Sequence, residues 1–264
     1  MKNRSIFPGL YVILILVLMY LPIAVVIIFS FNESRISVFW EGFTLDWYSQ
    51  MFKDSIMLAA LKNSLVLAVS SSLCAAVIGT LGAVGIAKKQ ILGGNAMEYF
   101  AILPIMIPEI ILGMVFLAFF ALLGMPFGMT TLVIAHTVFC IPYVYLLVKA
   151  RLTGLDKSYV EAARDLGAGE MKAFLSITMP LILPAVVSGM LLAFAMSFDD
   201  VIISSFITGV DTNTLPLLIF SQLKIGLTPK TNALCALLFV ATVLIVVISL
   251  IIGRPKRKKR FPVR

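Results

Sequence analysis

Apolar positions along this chain fall in long unbroken runs. The charge-free stretches are 5–32, 63–87, 99–108, 110–148, 173–198 and 231–253. A helix crossing about 30 Å of hydrocarbon needs about 20 predominantly apolar residues. The run 110–148 is too long for one crossing, and Gly124-Met125-Pro126-Phe127-Gly128 puts turn chemistry at its middle. Glu109 interrupts what otherwise reads as a single span from Met97 to Leu123. The pattern therefore predicts six helices, over 10–31, 63–87, 97–123, 130–148, 181–198 and 233–252. Backbone groups in lipid must pair internally, which requires helices or a closed barrel, and unbroken runs lack the alternation of barrel strands. Basic residues precede the first run as they would in a secretory leader. Its apolar stretch of about 22 residues exceeds the usual range of about 7–15, and no small-residue cleavage site follows, so it reads as a retained helix.

Composition narrows the class. The chain is 61% hydrophobic and 13% charged, with a mean hydropathy of +1.06. A soluble domain averages about 45–50% apolar and about 25% charged. Soluble, disordered, fibrous and disulfide-scaffold classes are excluded, leaving an all-α, polytopic membrane helix bundle. Cys74, Cys140 and Cys235 lie within spans without CxxC spacing, so packing is their expected role. With no 20–50-residue repeat and no low-complexity linker, residues 1–264 read as one transmembrane domain. Its core is about 63–252, its longest loop about 149–180 and its basic tail 254–264.

The net charge of +8 takes its meaning from where the charges sit. Positive charge in short loops marks the cytoplasmic side. With both termini cytoplasmic, the inner segments collect Lys2, Arg4, Lys88, Lys89, Lys149, Arg151, Lys157, Arg164, Lys172 and seven residues between Arg254 and Arg264. The outer segments keep Arg35, Lys53, Lys62, Lys224 and Lys230, outnumbered by Glu33, Glu41, Asp46, Asp54, Asp199, Asp200 and Asp211. The basic excess belongs to topology and anionic lipid, with no nucleic-acid partner; the outer face is net acidic.

Several spans carry chemistry. Ser71, Ala75, Gly79, Ala83 and Ala87 form a small-residue ridge that lets another helix approach closely. Glu109, between Pro108 and an apolar run, is expected at the centre of the third span, where a carboxylate costs about 2.5–3.5 kcal/mol on insertion scales. It faces either a polar cavity or cation, or a neighbouring hydroxyl or amide. His136 is the only histidine, and without HExxH or other histidines it reads as a satisfied packing residue, with no metal site. In the long inner loop, Ser158 and Glu161 have capping-box spacing, Gly167 suits a left-handed helix end, and a second short helix over 170–177 should stop before Pro180.

Glu161-Ala162-Ala163, Gly167 and Ile177-x-Met179-Pro180 resemble the EAA loop of ABC-importer permeases, with Met179 where leucine is usual. Asn32-Glu33-Ser34, Trp47-Tyr48-Ser49, His136 to Pro142 and Ser197 to Gly209 extend the resemblance to permeases of the spermidine/putrescine branch, over essentially the whole chain. The resemblance implies a MetI-like permease fold in a bacterial plasma (inner) membrane. It also implies two ATP-binding subunits, a second related permease and an extracytoplasmic polyamine-binding protein. Glu161, Ala162, Ala163 and Gly167 would couple to the ATPase. The chain has no G-x-x-x-x-G-K-[ST] loop, so it is expected to be no enzyme and to hold no cofactor, ATP-Mg being used by the partner.

A polyamine needs spaced anions and aromatic faces. Asp199 and Asp200 adjoin at the outer end of the fifth span behind Ser197, and Trp47 offers cation–π attraction. The expected amine contacts are Trp47, Glu109, Ser197, Asp199 and Asp200, with Glu109 deeper. For Asp199 and Asp200 the alternative is helix-end capping; for Trp47 it is the interfacial aromatic belt. Competing functions are a permease for phosphonate, sulfate or ferric iron, and an ion-coupled secondary transporter. The first would want basic residues in a span, and the second usually shows inverted repeats. Neither feature is found.

Overall fold

A computed structural model describes residues 7–34, 39–88, 94–156, 158–226 and 228–252. The expected basic segments at Lys2, Arg4, Lys89 and 254–264, with Arg35 and Lys157, lie outside the described residues. Secondary structure among the described residues is helical, apart from one isolated bridge between Asn32 and Phe43. The helices are α1 (Phe7–Phe29), α2 (Asp46–Lys53), α3 (Ser55–Lys88), α4 (Gly94–Met106), α5 (Glu109–Leu122) and α6 (Met129–Thr153). There follow α7 (Ser158–Asp165), α8 (Glu170–Ala173), α9 (Met179–Asp199), α10 (Ile202–Ile207), α11 (Leu215–Ile225) and α12 (Pro229–Ile252). Four stretches are long and apolar enough to cross a membrane: Gly9–Phe29, Ser55–Ala87, Met129–Thr153 and Glu170–Asp199. A bent pair, Ala96–Met106 with Glu109–Leu122, makes a fifth if counted as one, and α12 is apolar over Pro229–Leu244.

Two of the expected elements are corrected. The third span is not one helix: it breaks at Ile107-Pro108, and its halves meet at 108°. Proline has no N–H to continue the ladder and pushes the residue before it out of the helical region. Glu109 consequently lies in the first turn of α5, where the helix dipole favours a carboxylate, instead of at mid-span. The second correction is at Pro180, where no helix stops. From Glu170 to Asp199 the chain is continuously helical through a π-helical segment, Phe174–Thr178, with Pro180 in the first turn of α9. The widened turn relieves the clash a proline ring makes with the carbonyl four residues back.

The chain divides into two compact units, residues 56–220 and the remainder at both ends. In the larger, α6 is the central helix. Its Val144 is approached by α3 through Gly79 and by α9 through Gly189. A Cβ on Gly79 would lie 3.0 Å from Val144 Cβ, and one on Gly189 only 2.9 Å from Val144 Cα. The ridge on α3 thus has a partner in this chain: Ser71, Ala75, Gly79 and Ala83 are buried, and Ala87 is exposed. Leu132, Ala135, Phe139, Val144, Ile182 and Ala193 continue the core. α5 and α10 meet where Gly113 leaves room for the Phe206 ring. Asn63 of α3 donates to the carbonyls of Asp211 and Asn213, tying down the loop after α10.

The smaller unit packs α12 against α1 and α2. Asn32 organises its loop, donating to the Phe39 carbonyl and accepting from the Glu41 amide. Leu10 to Met19 of α1 are exposed hydrophobics, as a lipid-facing helix would present.

Candidate functional site

The break between α9 and α10 concentrates the polar chemistry of the larger unit. Asp199 ends α9 and is exposed. Asp200, the next residue, is buried and its carboxylate is fully engaged. Oδ1 accepts the Ile203 amide at 3.1 Å, and Oδ2 accepts the Ser204 amide at 2.8 Å and the Ser204 hydroxyl at 2.9 Å. The capping alternative therefore describes Asp200. The expected side-by-side pair is resolved into one free and one committed carboxylate. Glu109 of α5, half-buried, joins them: Glu109, Asp199 and Asp200 line one cavity of about 220 Å³ with Met196, Val201 and Ile202. Among the described residues no lysine or arginine lines it.

Behind the cavity runs a buried polar chain that periodicity could not anticipate. Ser71 Oγ lies 2.9 Å from Ser197 Oγ, and Ser197 Oγ lies 2.9 Å from His136 Nδ1. His136 Nε2 lies 3.2 Å from Ser204 Oγ and 3.4 Å from Asp200 Oδ2. The ring itself is wholly buried. His136 is thus a satisfied residue as expected, but its partners are polar groups flanking the elbow, and Ser197 is spoken for within the protein. The signal available in sequence was the hydroxyl run Ser197, Ser204 and Ser205 around paired acids. No group of His, Cys, Asp and Glu that could hold a metal ion occurs among the described residues.

The other expected residues lie elsewhere. Glu161 and Ala162 are exposed and Ala163 half-buried on α7. Gly167 ends that helix with φ +84°, its amide bonded to Arg164 O at 2.8 Å and that of Ala168 to Ala163 O at 3.0 Å. This is a Schellman motif, which requires the left-handed residue that glycine supplies. At the other end Asp156, rather than Ser158, supplies the cap: its Oδ1 accepts the Ser158 amide at 2.9 Å. Bonds from the Ser158 backbone and side chain hold the Asp156 carboxyl below the usual carboxylate range. Arg164 pairs with Glu170 across the bend at 2.9 Å. Tyr159, Leu166 and Met171 stay largely exposed there. In the smaller unit, Trp47 Nε1 donates to the Asn32 carbonyl at 2.7 Å, and it borders a polar cavity of about 540 Å³ with Glu33, Asp46 and Lys230.

Comparison with known proteins places this geometry. Residues 75–254 match the family described as binding-protein-dependent transport system inner membrane component. The chain is 40% identical over 240 residues, 91% of each chain, to the spermidine/putrescine transport system permease protein PotC of Escherichia coli K12. It is 36% identical to the PotC protein of Haemophilus influenzae over 96% of this chain and 98% of that one. To the putrescine transport system permease protein PotI of Escherichia coli K12 it is 38% identical, over 90% and 89% of the two chains. A bacterial ABC transporter that imports the acidic polysaccharide alginate has the same fold at 14% identity, with a TM-score of 0.72 over 96% of this chain and 98% of that one. The MetNI methionine ABC transporter follows at 0.62 and 18% identity, over 76% and 94%. The family match over most of the chain and relatives at 36–40% identity lead to one statement: this chain belongs to the binding-protein-dependent transport system inner membrane components, the permeases of ABC importers.

Proposed function

We propose that this chain is the permease subunit of an ATP-driven importer of polyamines, and that amines contact Glu109 and Asp199 directly. The observation that carries the reading is the cavity where Glu109, Asp199 and Asp200 converge without a basic residue. A flexible chain of protonated amines gains from spaced carboxylates; at about 4 Å and an effective dielectric of about 20, each charge pair is worth about 4 kcal/mol. The relatives point the same way: PotC and PotI are permease proteins of spermidine/putrescine and putrescine transport systems. Asp200 and Ser197 belong to the same site from behind, with their polar atoms committed to the elbow. Trp47 is a further candidate contact, its indole fixed by Asn32 and its ring bordering an acid-bearing cavity.

In this reading the chain crosses the membrane six times with both termini cytoplasmic. Support comes from the ion pairs: Glu98–Lys149, Arg164–Glu170 and Asp54–Lys230 each join residues that the charge pattern assigns to one side. α7 with Glu161, Ala162, Ala163 and Gly167 would dock on one of two ATP-binding subunits, which hydrolyse ATP-Mg in place of this chain. The exposed Tyr159, Leu166 and Met171 supply apolar area for that contact. A second permease and an extracytoplasmic polyamine-binding protein would complete the assembly.

The test uses proteoliposomes containing all partner subunits and radiolabelled spermidine. Glu109→Gln and Asp199→Asn are each expected to cut uptake about tenfold or more, the scale of one lost charge-assisted contact, with assembly intact by co-purification. Undiminished uptake in both variants would overturn the assignment.

A further inference from the structure

We propose that His136 is the positioning residue of the acidic elbow, holding α9 and α10 at the angle that presents Asp199 beside Glu109. The proposal rests on the polyamine-site reading above. It adds to that reading a residue that touches no substrate.

The hydrogen-bond inventory assigns the ring's roles. Ser204 has one hydroxyl proton, and Asp200 Oδ2 takes it at 2.9 Å. Ser204 Oγ can therefore only accept from His136, so Nε2 carries a proton. With that proton on Nε2 of a neutral imidazole, Nδ1 is an acceptor, and the Ser197 hydroxyl donates to it at 2.9 Å. Ser71 Oγ lies beside Ser197 Oγ at 2.9 Å, but its one proton also has the Leu67 carbonyl at 2.8 Å. The donors then run in one direction, Ser197 to His136 to Ser204 to Asp200, and end on a carboxylate. Such a chain polarises each member in the same sense, which strengthens it within a low-dielectric interior.

Placement gives the chain its purpose. Ser197 is in α9, Ser204 is in α10, and the two helices are separated by Asp200 and Val201 alone. His136 comes from α6, the helix around which the unit is packed. One rigid ring thus binds both sides of a helix break to the central helix. An aliphatic side chain of equal size would remove the group that links Ser197 of α9 to Ser204 of α10, leaving Ser197 to Ser71 and Ser204 to Asp200. The elbow would then be free to hinge, and Asp199, whose side chain makes no hydrogen bond among the described residues, would move with the end of α9.

The experiment measures spermidine uptake against concentration in the full reconstituted complex, normalised to complex recovered. His136→Ala is expected to raise KM about tenfold, the scale of one buried hydrogen bond lost, with a smaller change in maximal rate. His136→Gln, which keeps a donor and an acceptor at similar reach, should restore KM to within about threefold of wild type. A purely structural role would instead lower recovered complex and maximal rate at unchanged KM, and that result overturns the proposal. If His136→Ala does not assemble, Ser204→Ala cuts the link from imidazole to Asp200 at little cost in volume; an unchanged KM there overturns it equally. Glu109→Gln and Asp199→Asn run in parallel. If they leave uptake intact, the polyamine-site reading has failed; if they impair it while KM of the His136 variants stays at the wild-type value, only the positioning role has failed.

Discussion

Adjacent residues of one type serve opposite ends here. Asp199 and Asp200 differ by one position, yet the first is exposed and the second is buried with both oxygens occupied. Their substitutions should therefore separate. Asp200→Ala leaves the Ile203 and Ser204 amides and the Ser204 hydroxyl without their acceptor. Unmet buried donors of that kind cost about 1–3 kcal/mol each, less where they relax. The expected outcome is a clear drop in thermal midpoint of the purified complex, with uptake falling in consequence. Asp199→Asn should leave the midpoint within the scatter of surface substitutions, about 0.5 kcal/mol, while uptake falls. A shared stability loss in both variants would contradict the division. The paired acids were visible in the sequence as a candidate site. Which of them keeps its oxygens free was not, because that depends on the helix break beside them and on the α10 amides and hydroxyl that Asp200 meets. His136 was legible only as a satisfied residue for the same reason: its partners are 61 and 68 positions away.

At the scale of elements, apolar length placed the first, second, fourth and fifth expected spans, and the small-residue ridge on α3 marked a packing face without naming its partner. The central helix runs Met129–Thr153 where the charge-free pattern ended at 148, because Lys149 finds Glu98 and need not leave the helix. The Schellman end at Gly167 was legible, since a left-handed residue after an amphipathic turn has few alternatives to glycine. The two misread proline positions share a cause. Proline forbids a hydrogen bond but does not say how the chain responds: at Pro108 it breaks sharply, and at Pro180 it widens by a residue. Packing decides between them, and packing is non-local. The glycine contacts yield a firm expectation. A Cβ on Gly189 would fall 2.9 Å from Val144 Cα, a backbone atom that cannot rotate away. Gly189→Ala should force α9 off α6 and cost about 1–3 kcal/mol as overpacking does, read as a lowered melting temperature of the complex. Alanine at Gly85, where a Cβ meets nothing within 4 Å, is the matched control and should be neutral.

For the whole molecule, the charge pattern makes a claim that ion pairing alone leaves to experiment. If both termini are cytoplasmic, the α7–α8 bend faces the interior of the cell and the loop before α11 faces outward. Cys74, Cys140 and Cys235 form no disulfide and are first replaced by alanine, with uptake of the cysteine-free complex as control because Cys140 is buried and donates to the Ala193 carbonyl. Into that background a single cysteine goes at Leu166, which is 89% exposed on the bend, or at Val210, which is fully exposed before the loop residue Asp211. A membrane-impermeant maleimide added to intact cells, with the outer membrane made permeable where one is present, should label Val210→Cys and spare Leu166→Cys. Labelling of inverted vesicles should reverse the pattern. The opposite result would invert the bundle and put the acidic cavity formed by Glu109, Asp199 and Asp200 on the side that ATP-binding subunits occupy. The same two cysteines would also test the coupling face. Addition of the ATP-binding subunits to inverted vesicles should protect Leu166→Cys, because a docked partner covers the exposed apolar residues of the bend, and should have no effect at Val210→Cys.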